Sequence, residues 1–304
     1  MSVSLAVNLA GLSMKNPVTV ASGTFASGRE YSDFFDIAQL GAITTKGVSE
    51  FGWEGNPSPR IAETASGMLN SIGLQNPGVK AFMAKDLPWL AEQQVPVIVN
   101  VSGHSIAEYC AVIDALEKSP VPGAYELNIS CPNVDQGGLT FGTDPAMVEE
   151  VVSACRIRSD KPMLVKLTPN VTDIAEIARA AEAAGADGLS LINTVLGMAI
   201  NPYTRKPLLA RVVGGLSGPA IKPVALRCVW QCSQAVSIPI LGMGGISNGL
   251  DAIEFMLAGA TAVAVGAANF VDPTVSLKVI NEMSDYCESQ GIRDITELIG
   301  ALEC

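Results

Sequence analysis

The feature that most constrains the fold is a regular alternation of short β-branched runs with stretches of helical periodicity. Eight such runs recur, at residues 18–22, 42–47, 95–101, 124–130, 162–168, 188–193, 239–244 and 262–266. Each is apolar enough to be buried on both faces, which is typical of parallel strands covered by helices. Eight strand–helix units in sequence favour an α/β fold of the (β/α)8 TIM-barrel type over a doubly wound sheet.

Two connections between the predicted strands are longer than a crossover helix requires. Residues 48–94 and 194–236 therefore predict inserted loops or hairpins at the C-terminal mouth of the barrel. No linker rich in proline, serine or charge divides the chain. We therefore expect residues 1–304 to form a single barrel domain.

Composition narrows the function. Lys and Arg number 19 against 30 Asp and Glu, a formal charge of −11, which disfavours a nucleic-acid partner. The chain has a single histidine, His104, which excludes sites that need two imidazoles, so we expect no metal site of that kind. No carboxylate follows His104 at a spacing that suggests an orienting partner, which favours a capping or packing role. The chemistry must depend on other side chains or on a cofactor.

The chain ends and the cysteines bear on the compartment. No cationic segment precedes the first apolar stretch, and no run of about 18 apolar residues could span a membrane. We therefore expect a cytoplasmic protein without a membrane segment. The seven cysteines are odd in number, scattered and free of CxxC, which indicates mostly buried thiols and argues against an iron–sulfur site in this chain.

Polar side chains end most of the predicted strands, and in such a barrel these ends form the active site. They include Ser22, Lys46, Asn100, Asn128, Lys166, Asn193 and Thr194. Lysine and asparagine are seldom buried without partners, so their convergence indicates a polar or anionic ligand. Either lysine could pair with an anion or form a Schiff base. The asparagines, together with Asn70, suit a planar heterocycle with amide edges.

Glycines follow the seventh and eighth predicted strands. GMGGISNG at 242–249 and VGAA at 265–268 place Gly244, Gly245, Gly266 and Ala267 where backbone amides can bind a phosphate. GMGGISNG is not GxGxxG, and no acidic residue follows at the spacing of a dinucleotide site. The pattern therefore predicts a phosphorylated ligand rather than a nicotinamide cofactor.

Cys131 stands in a polar loop, NISCPNVDQGGLTFG at 128–142, directly after the fourth predicted strand. A thiol with a pKa near 8.5 can act as a base or nucleophile at neutral pH, particularly beside a lysine. We interpret the loop as a mobile lid and Cys131 as its catalytic residue.

Six segments in order resemble one family, the class 1 dihydroorotate dehydrogenases. They are NPVTVASGTF at 16–25, TTKGV at 44–48, NSIGLQNPG at 70–78, NISCPNV at 128–134, INT at 192–194 and GMGGI at 242–246. The loop at 135–142 resembles the catalytic subunit of class 1B, and cysteine at 131 is similar to class 1 rather than class 2, which has serine.

The resemblance implies FMN across the barrel mouth and dihydroorotate beside it. The implied cofactor-binding residues are Ser22, Lys46, Gly47, Asn100, Asn128, Lys166, Ile192, Gly218, Gly244, Gly245, Gly266 and Ala267. The implied substrate-binding residues are Lys46, Asn70, Ser71, Ile72, Gly73, Leu74, Asn128, Asn193 and Thr194. Cys131 would remove a proton from dihydroorotate while hydride passes to the flavin. Lys166 would stabilise the negative charge on reduced flavin.

In class 1B the electrons continue through a second subunit, with FAD and a 2Fe-2S cluster, to NAD. The resemblance therefore implies a homodimer of this chain at the centre of a heterotetramer. Four alternatives remain open. They are a class 1A-like enzyme that uses fumarate, a dihydropyrimidine dehydrogenase-like relative whose loop would read CPH, a Schiff-base aldolase or sugar-phosphate isomerase using Lys166, and a barrel that binds its ligand without catalysis.

Overall fold

The structure is a computed structural model that describes residues 3–130 and 141–303. Within these ranges the strands are β1 (Val7–Leu9), β2 (Leu12–Met14), β3 (Val18–Val20), β4 (Ile43–Thr44), β5 (Ile61–Thr64), β6 (Gly67–Asn70), β7 (Val97–Val101), β8 (Ala124–Leu127), β9 (Met163–Lys166), β10 (Gly188–Leu191), β11 (Val195–Met198), β12 (Ile200–Asn201), β13 (Lys206–Pro207), β14 (Val213–Ser217), β15 (Ile240–Met243) and β16 (Ala262–Val265). The α-helices are α1 (Val79–Ala91), α2 (Ile106–Leu116), α3 (Pro145–Arg156), α4 (Ile174–Ala183), α5 (Lys222–Ser233), α6 (Gly249–Leu257), α7 (Ala268–Val271) and α8 (Val275–Gln290).

Eight parallel strands form the central sheet, in the order β3-β16-β15-β10-β9-β8-β7-β4. Its two edges meet, because the amide of Gly41 donates to the carbonyl of Val18 at 2.9 Å and the hydroxyls of Thr19 and Thr44 lie 3.3 Å apart. The sheet is thus nearly closed, and the predicted (β/α)8 barrel is confirmed. All eight strands lie within the predicted runs but are shorter, since the terminal residues enter the loops.

The helices cover the barrel through apolar faces. In α4 the buried residues include Ile174, Ile177, Ala178 and Ala181, which recur at helical spacing on one face. Asp173 caps this helix by accepting a hydrogen bond from the amide of residue 175 at 2.9 Å. In α2 the residues Tyr109, Cys110, Ile113 and Leu116 form a similar buried face.

The first unit departs from the predicted strand–helix pattern. Two short 3-10 helices, Tyr31–Asp33 and Ile37–Gln39, connect β3 to β4 in place of an α-helix. Glycines at 23, 28 and 41 occur in this connection, and glycine is a poor helix former. The C-terminal helix α8 contacts β3 instead.

The two long connections form a second, four-stranded antiparallel sheet. Its order is β11-β14-β6-β5, so that a strand of the later insertion pairs with a hairpin of the earlier one. Asn70 is the register partner of Gly215, and Met68 that of Ser217. The predicted hairpins are present, and their pairing with each other is a feature that the sequence did not indicate.

Two further expectations concern the whole chain. None of the helices in the described ranges is both long and apolar enough to cross a membrane. Five cysteines are buried free thiols, namely Cys110, Cys155, Cys228, Cys232 and Cys287. Burial raises the pKa of Cys232 to about 12. For these five the prediction of buried thiols is confirmed.

Candidate active site

A cavity of about 380 Å³ lies at the C-terminal ends of the barrel strands, beside the inserted sheet. Most of the predicted site residues line it. They are Ser22, Lys46, Asn70, Ser71, Ile72, Gly73, Leu74, Asn128, Lys166, Ile192, Asn193, Thr194, Gly218, Gly244, Gly245, Gly266 and Ala267. The structure therefore brings together strand ends and inserted segments that are up to 245 positions apart in the chain.

Three predicted residues are not among those lining the cavity. Cys131 lies outside the described residues. Asn100 is fully buried, and its amide nitrogen donates to the carboxylate of Glu126. Gly47 packs against Asn100, since a Cβ atom at position 47 would lie 2.8 Å from the amide oxygen of Asn100. In the structure Gly47 and Asn100 support the site from behind, and their contact with a flavin stays a prediction.

Glycines form one end of the cavity. Gly245 has φ +81°, and a Cβ atom there would lie 2.9 Å from the carbonyl oxygen of Gly218, so this close turn requires glycine. A Cβ atom at Gly266 would meet only the Cβ of Ala21, at 3.6 Å. The main chain at Gly266 therefore leaves open space on the cavity side, which allows a ligand to approach the backbone.

Amide side chains are connected by hydrogen bonds at the ends of β8 and β10. The hydroxyl of Ser130 donates to the amide oxygen of Asn128 at 3.0 Å, and Asn193 donates to the Ser130 hydroxyl at 2.7 Å. From α2, the Tyr109 hydroxyl donates to the carbonyl of Asn128 at 2.7 Å. This chain of bonds fixes two predicted substrate-binding asparagines relative to each other.

The first insertion supplies another wall, through residues 70–75 after β6. The Asn70 amide donates to the carbonyl of Gly215 at 3.4 Å, which ties this wall to the second insertion. Ser71 is buried, and its hydroxyl has no hydrogen-bond partner within the described ranges. A buried hydroxyl on a cavity wall is costly without a partner, so Ser71 is suited to bind a polar ligand.

A buried ion pair stands at the end of β9. The Lys166 ammonium lies 3.4 Å from the carboxylate of Glu126 and 3.3 Å from the hydroxyl of Ser22. Lys166 and Ser22 line the cavity, whereas Glu126 lies behind them, fully buried. The second cavity lysine, Lys46, is held in the main chain by a 2.8 Å bond from its amide to the carbonyl of Ala26.

Sequence reasoning missed several cavity residues. Those from the insertions are Arg60, Ile61, Met68, Gln75, Gly215 and Ser217. They reach the cavity through the β6–β14 pairing, for which the sequence carries no local pattern. Glu126 was also missed, although a charged residue inside the apolar run of β8 was a visible sign of a buried partner.

The expectation for His104 needs one correction. Glu108, four residues later, contacts the imidazole Nδ1 at 3.3 Å and accepts the backbone amide of His104 at 2.8 Å. A carboxylate at this helical spacing was thus overlooked. The ring also lies 3.9 Å from that of Trp53, centre to centre, which agrees with the packing role.

Comparison with known proteins gives a consistent result. A family model with the description dihydroorotate dehydrogenase matches residues 4–286. The chain is similar to the dihydroorotate dehydrogenase B (NAD(+)) catalytic subunit of Alkaliphilus oremlandii, at 59% identity over 98% of each chain. It is similar to proteins of the same name from Alkaliphilus metalliredigens, at 58% over 99% of each chain, and Pelobacter propionicus, at 53% over the full length of both.

Proposed function

Because the chain belongs to the dihydroorotate dehydrogenase family, we propose that it oxidises (S)-dihydroorotate to orotate in pyrimidine biosynthesis, as an FMN-dependent enzyme linked to NAD. The observation that carries this proposal is the cavity at the strand ends. Glycine turns, two lysines and several amide side chains meet there. Such a set suits a phosphorylated planar cofactor next to a small anion with amide edges.

The residues present fit FMN. The cavity falls within the usual size range of ligand sites, roughly 300–1,000 Å³. Gly266 leaves open space where a phosphate would approach the main chain, and Gly244 and Gly245 hold turns with positive φ nearby. The unpartnered hydroxyl of Ser71 calls for a polar ligand at the wall formed by the first insertion. A buried hydroxyl without a partner is costly unless a ligand bonds to it. The open space at Gly266 likewise suits a barrel that binds a ligand.

We assign the cofactor to the barrel residues. The amides of Gly244, Gly245, Gly266 and Ala267 would bind the phosphate, with Gly218 next to them. Ser22, Lys46, Asn128, Lys166 and Ile192 would contact the ring system, supported by Gly47 and Asn100. When bound, FMN supplies the hydride acceptor of the reaction. The Lys166 ammonium would stabilise negative charge that develops at the ring.

The substrate would occupy the space between the barrel and the first insertion. Lys46 would pair with its carboxylate, and Asn70, Asn128 and Asn193 would bind its ring amides. Ser71, Ile72, Gly73, Leu74 and Thr194 would complete this wall. The bonds among Asn128, Ser130 and Asn193 orient two of these amides before the substrate arrives.

Cys131 is the proposed base. It would take a proton from the substrate carbon next to the ring carbonyl, as a thiolate. In the sequence it directly follows Ser130, whose hydroxyl is hydrogen-bonded to both Asn128 and Asn193.

The relatives are named as catalytic subunits of NAD(+) enzymes, and we propose the same arrangement for this chain. A partner subunit with FAD and a 2Fe-2S cluster would carry electrons from FMN to NAD. Two copies of this chain would form the centre of a cytoplasmic heterotetramer. Each copy would be one FMN-binding barrel domain over residues 1–304, in keeping with its continuous apolar core.

A Schiff-base aldolase is the alternative from another chemical class, and the ion pair disfavours it. A nucleophilic lysine needs a neutral amine, whereas Lys166 lies beside the buried carboxylate of Glu126. Hydrogen bonds to Glu126 and Ser22 engage its Nζ atom.

An absorption spectrum of the purified chain, repeated anaerobically after addition of dihydroorotate, tests the proposal. We expect oxidised-flavin bands that bleach with substrate and remain when dihydrouracil, which lacks the carboxylate, is added instead. Bleaching by dihydrouracil would favour the dihydropyrimidine relative. Reoxidation by fumarate would favour a class 1A-like acceptor. A colourless protein that takes up no FMN would refute the proposal.

A further inference from the structure

The barrel layer beneath the cavity contains charged and polar side chains where branched apolar residues are usual. Asn100 on β7 and Glu126 on β8 are register partners, and both are fully buried. Lys166 on the next strand is 5% exposed. A buried carboxylate is retained in a protein only with compensating partners. Packing alone therefore does not account for Glu126 at this position.

The contacts of Glu126 show which side chain it serves. One carboxylate oxygen accepts from the Asn100 amide and lies 3.4 Å from the Lys166 ammonium. The other oxygen is buried and has no hydrogen-bond partner in the part of the chain that the structure describes. Among the described residues, the one close charge contact of Glu126 is therefore with Lys166.

Lys166 in turn faces the cavity. Its ammonium has three N–H donors, and the described residues accept two of them, at Glu126 and at Ser22. The third is available to a ligand in the cavity. Glu126 thus fixes the ammonium from behind while the lysine presents a donor in front.

We infer that Glu126 is a positioning residue that sets the charge at the flavin end of the site, an inference that rests on the proposed function. Lys166 alone would place a full positive charge at the cavity wall and would hold the reduced, more negative cofactor very tightly. The paired carboxylate cancels most of that charge. The cofactor then keeps a reduction potential low enough to pass electrons onward.

The midpoint potential of bound FMN tests this, measured by equilibration with reference dyes in the purified FMN-loaded chain. We expect Glu126→Gln to raise the affinity for reduced over oxidised FMN at least tenfold, which is about 30 mV for a two-electron couple. Lys166→Gln should change the ratio by a similar factor in the opposite direction. The double variant Lys166→Gln/Glu126→Gln should return to within about threefold of wild type, because both charges are gone.

Ser190→Ala is the matched control, because Ser190 is buried on β10 as the register partner of Lys166 but carries no charge. It should leave the potential unchanged. If Glu126→Gln alone does not fold, the comparison of Lys166→Gln with the double variant still measures the effect of the Glu126 charge.

A purely structural role would weaken both redox forms equally. An unchanged potential on loss of the Glu126 charge in FMN-loaded protein overturns this inference and leaves the proposed function intact. A wild-type chain that takes up no FMN overturns both.

Discussion

Replacing Lys166 by methionine should destabilise the folded chain through the carboxylate that it leaves behind. Glu126 is fully buried and the ammonium is its one cationic partner among the described residues. Removing one member of a buried pair costs about 3–5 kcal/mol. Unfolding entropy of about 2.1 cal/mol/K per residue over 304 residues is about 0.64 kcal/mol/K, so Tm should fall by about 5–8 °C.

Calorimetry on FMN-free protein is the suitable assay, because bound cofactor would add its own stabilisation. Two variants serve as controls. Lys166→Met/Glu126→Gln removes the lone charge and should recover most of the loss. Arg158→Met breaks an exposed pair with Asp114, 3.0 Å long, and should cost less than about 1 kcal/mol. A Lys166→Met protein that melts within about 2 °C of wild type would refute the assignment of a buried, charged pair.

Three further predictions concern the thiols and one acid-sensitive turn. Cys131→Ala should keep FMN but slow its anaerobic reduction by dihydroorotate about 10²- to 10⁴-fold in stopped flow; wild-type bleaching would remove Cys131 as the base. In native protein at pH 8, a thiol reagent should react rapidly with at most two of the seven cysteines, since five are buried, and with all seven in urea; rapid labelling of three would contradict the burial. The pKa of Asp251 lies below its usual value, because hydrogen bonds from Lys222 and Ser247 outweigh the effect of burial. The ionised Asp251 carboxylate therefore contributes its full stabilisation of the fold above the unfolded-state pKa of about 3.8. This stabilisation is lost as the pH falls through the lower pKa of the folded state. The advantage of wild type over Asp251→Asn in urea unfolding should be constant from pH 7 to about pH 5 and shrink below about pH 4; a constant difference down to pH 2 would contradict it.

The barrel was predictable because its signals are local. Each strand is a short buried run followed by a loop. Its hydrophobic pattern and the glycine, proline or polar residues at its end identify it without knowledge of its neighbours. The first unit was less predictable, since two 3-10 helices connect β3 to β4 where the alternation of strands and helices predicted an α-helix. Pairing partners inside the insertions depend on two segments some 145 residues apart, and no single segment encodes that choice.

The cavity residues divide in the same way. Lys46, Asn128 and Lys166 follow predicted strands, so the rule that barrel sites lie at strand ends located them. Arg60 and Met68 could not be placed, because their position depends on the pairing of β6 with β14. The resemblance to a family supplied roles for many residues. Only the three-dimensional structure distinguishes a residue that lines the cavity from one that supports it.

Asn100 illustrates what that distinction changes. Its position after a strand predicted a ligand contact, yet its amide nitrogen is directed to Glu126, which in turn contacts the cavity lysine. The Asn100 amide thereby holds the carboxylate of Glu126, and that carboxylate holds the Lys166 ammonium. Asn100 therefore acts on the cavity through two other side chains, those of Glu126 and Lys166. Loss of the Asn100 amide should accordingly change the position of the Lys166 charge more than it changes the shape of the cavity.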